Sequence, residues 1–193
     1  TINIGKIYYE NFFDLNLAAQ NPANQFVAGQ LTNSTAVPFP NYGFGFVGEV
    51  KASPEIEIRF GTMNALSSGR ASGFEKLDQG RLFNIVQARW NPQADDPDAL
   101  QGNYRVYAWY SNDDVTYTDG GWGAGLSFDQ ELGGGLVPFL RCGFAQDGAA
   151  PATVCWSTGA VLNGFLGRKH DGIGLACTFS NLDGSGLAGG EGW

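Results

Sequence analysis

Four arginines, Arg59, Arg89, Arg105 and Arg141, are the most informative set of side chains in this 193-residue chain. Each sits within a run of alternating residues, on the parity opposite the main apolar one. A guanidinium presents five N–H donors in one plane, which suits carboxylates and sugar hydroxyls alike. Glu55 and Glu57 share the parity of Arg59, where they could orient it or accept from hydroxyls. Tyr107 and Trp109 share the parity of Arg105. Such rings could stack on the apolar face of a pyranose in a polar channel, or pack beneath an infolded loop. The arginines and glutamates could equally form an ion-pair ladder that only stiffens a wall. Catalysis has little to build on. His170 is the single histidine, there is no CxxC, and no metal site or cofactor is expected. No GxSxG or phosphate-binding loop occurs. Glu55 and Glu57 are neighbours on one strand face and cannot straddle a glycosidic bond.

Placing side chains on one side at every second position takes β-strands. The pattern is clearest from Gly102 to Phe144. There Tyr104, Val106, Ala108 and Tyr110 oppose Arg105, Tyr107 and Trp109. After a polar loop, Trp122, Ala124, Leu126 and Phe128 oppose Gly123, Gly125, Ser127 and Asp129. A Gly133-Gly134-Gly135 turn leads into a strand over Leu136–Phe144. Upstream strands are expected over Thr1–Tyr8, Asn41–Lys51, Glu55–Phe60 and Arg81–Asn91. Lys6, Asn84, Phe83 and Ile85 fit their parity poorly. Downstream strands are expected over Thr153–Leu162 and Gly172–Phe179. Long and short connections mostly alternate, although Asn91–Gln101 is longer than a typical turn. Small and charged residues on the second face predict that it meets water. An oily outside and a wet inside mark an antiparallel transmembrane β-barrel of the up-and-down meander type. Tyr42, Trp90, Tyr104, Tyr110 and Trp122, near strand ends on the oily parity, read as interfacial girdles. Bacterial barrels of this type have an even strand number, so about nine strands predict that others complete the ring.

Composition agrees with an all-β chain: 29 glycines, 13% aromatic residues and 43% hydrophobic residues. No apolar run approaches ~20 residues, the length of a helical span. A mean hydropathy of -0.16 still fits a barrel, whose strands give half their residues to a polar lumen. The net charge of -8 offers no basic surface for nucleic acid. The chain starts at Thr1 without a signal peptide or lipidation motif, as expected for a processed chain or a piece of a longer one. Residues 9–40 form the longest irregular stretch. Its Asp14, Asn16, Gln20, Asn24 and Gln25 could line a constriction if the loop folded inward, and Leu15–Ala19 could form a helical turn. Cys142 and Cys155 flank one loop and are a disulfide candidate in an envelope location, although their parities do not match cleanly. Cys177 is expected unpaired on the oily face.

Several segments resemble the carbohydrate-selective porins of the OprB family. They are Gly5-Lys6 with Phe12-Phe13-Asp14, Asn24-Gln25-Phe26, and Ala36-Val37-Pro38-Phe39-Pro40-Asn41-Tyr42-Gly43. They continue with Tyr104–Tyr110, Gly125–Glu131 and Phe139–Phe144, where Cys142 replaces a usual aromatic. The resemblance covers nearly the whole chain. It implies a sixteen-stranded bacterial outer-membrane barrel that passes sugars by diffusion. Residues 1–193 would be one porin region, incomplete at both ends, with residues 9–40 as a constriction element. It would meet small sugars and outer-membrane lipid. A homo-oligomer or a further polypeptide could complete the barrel. Two other classes share the alternating strands: a soluble β-sandwich carbohydrate-binding module of lectin type, and a secreted β-rich glycosidase. The sandwich would need its oily faces buried between sheets. The glycosidase would need two carboxylates facing across a cleft.

Overall fold

The computed structural model describes residues 1–67, 70, 72–74, 77–112, 120–168 and 171–182. His170 and the Gly-rich tail to Trp193 lie outside the described residues. One nine-stranded antiparallel sheet contains β1 (Ile2–Ile7), β2 (Gly43–Lys51), β3 (Ile56–Asn64), β4 (Leu82–Trp90) and β5 (Gly102–Ser111). It continues with β6 (Gly121–Gln130), β7 (Leu136–Ala145), β8 (Ala152–Asn163) and β9 (Gly172–Leu182). The strands pair in sequence order, each with its chain neighbours, and β1 does not pair with β9. The fold is therefore an up-and-down meander whose sheet stays open within this chain. From β2 to β9 the strands run 9 to 12 residues. That matches the ~9–11 residues a tilted strand needs to cross a bilayer.

Register sorts the two faces. Directly opposed residues share a face, so Ile58, Ala88, Val106, Leu126 and Cys142 form one continuous outward row. Val86, Val106, Phe144 and Trp156 remain exposed, with no second layer among the described residues over them. Trp90, Tyr104 and Phe128 pack across strands at the turn end in tilted and edge-on contacts, with centroids 5.3 and 5.6 Å apart. Tyr110 lies opposite Trp122, which packs on Phe144 at 5.6 Å at the loop end. The girdle pattern thus occurs at both rims of the apolar band. Lys6 lies outward opposite Phe44 at the loop end of β1, where its stem can run along apolar surface toward the interface.

The inward face corrects the expectation of a uniformly wet wall. Residues 8–42 fold back across it and bury a core. Tyr9, Phe13, Ala36 and Val37 from the loop pack with Phe83, Ile85, Tyr107 and Trp109 from β4 and β5. This explains the poor parity of Phe83 and Ile85: they are inward residues serving a core. It also gives the inward glycines of β6 a different reason. A Cβ at Gly123 would lie 2.6 Å from the Trp109 ring, so the glycine makes room for the neighbouring strand's aromatic. The loop is mostly irregular. Its helical pieces are a 3-10 turn at Tyr9–Asn11 and one short helix, Gly29–Thr32. Leu15–Ala19 is not helical; there Asn16 Oδ1 accepts from the backbone N–H groups of Ala18 and Ala19, at 3.1 and 3.2 Å, and curls the chain.

Arg141 fastens the loop. Its Nε donates to Asp14 Oδ1 at 2.9 Å, Nη1 to the Leu31 carbonyl at 2.7 Å, and Nη2 to the carbonyls of Asp14 and Ala19 at 2.9 and 3.1 Å. Ser34 N–H donates to Asp14 Oδ2 at 2.8 Å, and Asp14 N–H to Gln87 Oε1 at 3.0 Å. Arg141 is 1% exposed, so its charge is satisfied wholly by this loop. Burial pushes the Asp14 carboxyl up from its ordinary range, and the charge of Arg141 opposes that shift. Asp14 has φ 56, a left-handed conformation that Asp tolerates better than most residues.

The proposed Cys142–Cys155 disulfide does not form. Gly143, not Cys142, opposes Cys155, so Cys155 faces inward while Cys142 faces outward. All three cysteines are free thiols. The partner of Cys155 is Ser34 Oγ, at 3.2 Å beneath the loop. Denatured protein kept without reductant should therefore titrate with three thiols per chain; a count of one would show a bond.

Removing one member of a buried charge pair costs about 3–5 kcal/mol. Asp14→Ala should therefore unseat the loop and speed labelling of Cys155 by a membrane-impermeant maleimide by about a hundredfold or more. Asp14→Asn keeps an acceptor and should accelerate it less. Equal, slow labelling of wild type and both variants would refute the latch.

Candidate functional site

Below the loop-covered core, the turn-end half of the concave wall carries charge. Arg59 Nη2 meets Glu49 Oε2 at 2.8 Å and Glu57 Oε1 at 2.7 Å. Its Nη1 donates to the Phe12 carbonyl of the loop. Glu57 Oε2 takes Arg89 Nη2 at 3.2 Å, and Arg89 Nη1 reaches Asn103 Oδ1 at 3.5 Å. Asn103 Nδ2 donates to Asp129 Oδ1 at 2.7 Å, and Arg105 Nη1 to Asp129 Oδ2 at 2.6 Å. One polar chain thus runs from β2 through β3, β4 and β5 to β6. It forms because each strand places its inward charge at a neighbouring register position: Glu49 opposes Arg59, Glu57 opposes Arg89, and Arg89 opposes Arg105. The like-charged Arg89 and Arg105 are tolerable because each has its own carboxylate.

Apart from Glu55, the strand and loop residues proposed above to line the lumen fall into three groups. Arg59, Arg89, Arg105 and Glu57 come together in this chain. Arg141, Asp14 and Asn16 belong to the loop fastening instead. Asn16 Nδ2 donates to Ser127 Oγ at 3.2 Å and to the Phe128 carbonyl at 3.1 Å. Tyr107 and Trp109 lie in the core, 4% and 3% exposed, and Trp109 Nε1 donates to the Ala36 carbonyl at 3.0 Å. Of the two readings left open for these rings, packing beneath the infolded loop is the one their contacts match, since the loop occupies the faces a pyranose would need. Arg105 and Arg141 are also buried, and their contacts match the ion-pair reading rather than open sugar contact. Arg89 keeps the most exposure of the four, with 26% of its side chain accessible. Glu55 sits half-buried at the β2–β3 turn, where its carbonyl accepts from Asn91 N–H at 2.8 Å.

Several contributors escaped the sequence pattern. Asp129, Asn103 and Glu49 complete the ladder, and their inward parity was the available signal. Glu10, on the first turn of the loop, had no such signal. Its Oε2 accepts from Asn33 Nδ2 at 2.6 Å and from the Tyr8 hydroxyl. Burial, then the Glu10 carboxylate, push the Tyr8 phenol up from its ordinary range, so it stays a donor. Among the described residues no group of acidic, Cys or His side chains is arranged to hold a metal ion.

The solved structure titled "High pH structure of Pseudomonas putida OprB" superposes with a TM-score of 0.67 over 95% of this chain at 17% identity. The chain spans 51% of that protein's length. At this identity the likeness speaks for the fold. Among curated proteins none matches. The family model described as "Carbohydrate-selective porin, OprB family" matches residues 1–186. That match takes in all nine strands, the infolded loop and the charged ladder, and the chain belongs to the carbohydrate-selective porin, OprB family.

Proposed function

We propose that this chain forms part of the wall and the constriction of an outer-membrane channel through which sugars diffuse passively. The observation that carries the reading is the pairing of an uncovered apolar face with a concave face crossed by an infolded loop. A β-sandwich module would cover the apolar rows with a second sheet, and among the described residues all strands belong to one sheet. The unpaired outer edges of β1 and β9 cannot face hydrocarbon, so further strands must complete the ring in the membrane. Residues 9–40 act as the constriction element because they thicken the wall inward from the long-loop end.

The loop is held by core packing and by Arg141, so it stays as a fixed narrowing rather than a gate. Arg89 and Glu55, at the turn-end mouth, are the candidate lumen groups still open to solute. Passage requires weak binding, since a tight site would stop flux. No chemical step or cofactor enters this mechanism.

The protein should partition with outer membranes and require detergent for extraction. In liposome swelling, the full-length protein should pass small neutral sugars and slow steeply as sugar size grows. Swelling no faster than protein-free vesicles for every sugar would end the porin reading. Arg89→Gln removes a partly exposed positive charge and should move the reversal potential of the reconstituted channel toward cation preference. An unchanged reversal potential would place Arg89 outside the conducting path.

A further inference from the structure

The loop also carries a cleft of about 540 Å³ formed entirely by residues between Tyr8 and Asn33. That volume falls within the range of small-molecule sites, about 300–1,000 Å³. The amides around it divide into two sets. Gln25 and Asn21 are spent on the loop itself, and Asn16 on the loop and β6. Gln25 Oε1 accepts from the N–H groups of Gln20 and Asn21 at 2.7 and 2.8 Å, and its Nε2 donates to the Leu17 carbonyl at 2.8 Å. Asn21 Oδ1 accepts from Ala23 N–H at 2.9 Å. Asn11 and Asn24 are exposed, and their side-chain amides have no partner among the described residues. Gln20 accepts from Asn16 N–H through Oε1 and leaves its NH₂ group open. Glu10 adds an acceptor whose position is set in advance by Asn33 and Tyr8.

We propose that this cleft is a docking subsite for a neutral polyhydroxylated solute, held by Glu10, Asn11, Gln20 and Asn24. The proposal rests on the porin reading, in which the loop borders the solute path. Free amides offer donors and acceptors together, as hydroxyls require. No Lys or Arg lines the cleft, so nothing there would neutralise an anion. Leu17, 46% exposed, supplies an apolar surface for the C–H face of a sugar ring. Arg59, Arg105 and Arg141 are already paired with carboxylates and loop carbonyls, which leaves them little to give a solute. Selectivity then resides on the loop rather than on the strands behind it.

The test uses the full-length protein in planar bilayers, with glucose and a hexitol as probes that block ionic current. Protection of Cys155 from maleimide serves as the measure of loop seating. The double variant Asn11→Ala/Asn24→Ala should weaken sugar block about tenfold, from the loss of two hydrogen-bonding side chains, while Cys155 stays protected. An unchanged blocking concentration with Cys155 protected overturns the subsite and leaves the porin reading standing. A wild-type channel that conducts ions, shows no sugar block and fails in sugar swelling overturns both. If the double variant exposes Cys155, the single variants Asn11→Ser and Asn24→Ser decide. Each should weaken block about threefold, and no weakening in either overturns the subsite.

Discussion

A buried guanidinium determines the shape of the concave side. Arg141 projects inward from the middle of β7 and makes hydrogen bonds to residues 14, 19 and 31 of one loop. A charge buried this deeply is tolerable only when its donors are satisfied, and only the infolded loop supplies those acceptors. The loop needs the arginine in turn, because Asp14 is buried with it. Each group would be destabilising alone, so seating the loop and burying Arg141 are one event.

That event divides the wall by height. Toward the long-loop end, the loop's aromatics meet Phe83, Ile85, Tyr107 and Trp109, and water is excluded from the sheet. Toward the turn end, the inward residues are charged and paired from Glu49 to Asp129 across five strands. Arg59 joins the two regions, since it binds Glu49 and Glu57 in the ladder and the Phe12 carbonyl in the loop. In the proposed channel the strands would supply a stiff support and the loop the surface that meets solute, a fixed constriction that selects by size without a closure step.

The outward face obeys a different constraint. Lipid offers no hydrogen bonds, so every strand within it must be paired on both edges. The seven strands from β2 to β8 meet this condition inside the chain. Among the described residues the outer edges of β1 and β9 have no partner strand, and the proposed larger ring would supply one.

Connection lengths already indicated the meander, and the alternation of side chains determined where the strands lie, the oily outer face and the girdle positions at Trp90, Tyr104, Tyr110 and Trp122. The last three follow from a period of two, which any stretch of strand states about itself. The family was equally legible, because its segments are local. Which inward residues meet water was not. Parity says that Arg141, Tyr107 and Trp109 point inward, but not that a loop more than sixty residues away in sequence lies over them. The same limit misassigned the glycines of β6, which accommodate neighbouring rings, and left the cysteines undecided until register placed Cys155 inward and Cys142 outward. Local pattern fixes direction, whereas burial depends on what the rest of the chain brings to that side, and only tertiary structure decided it.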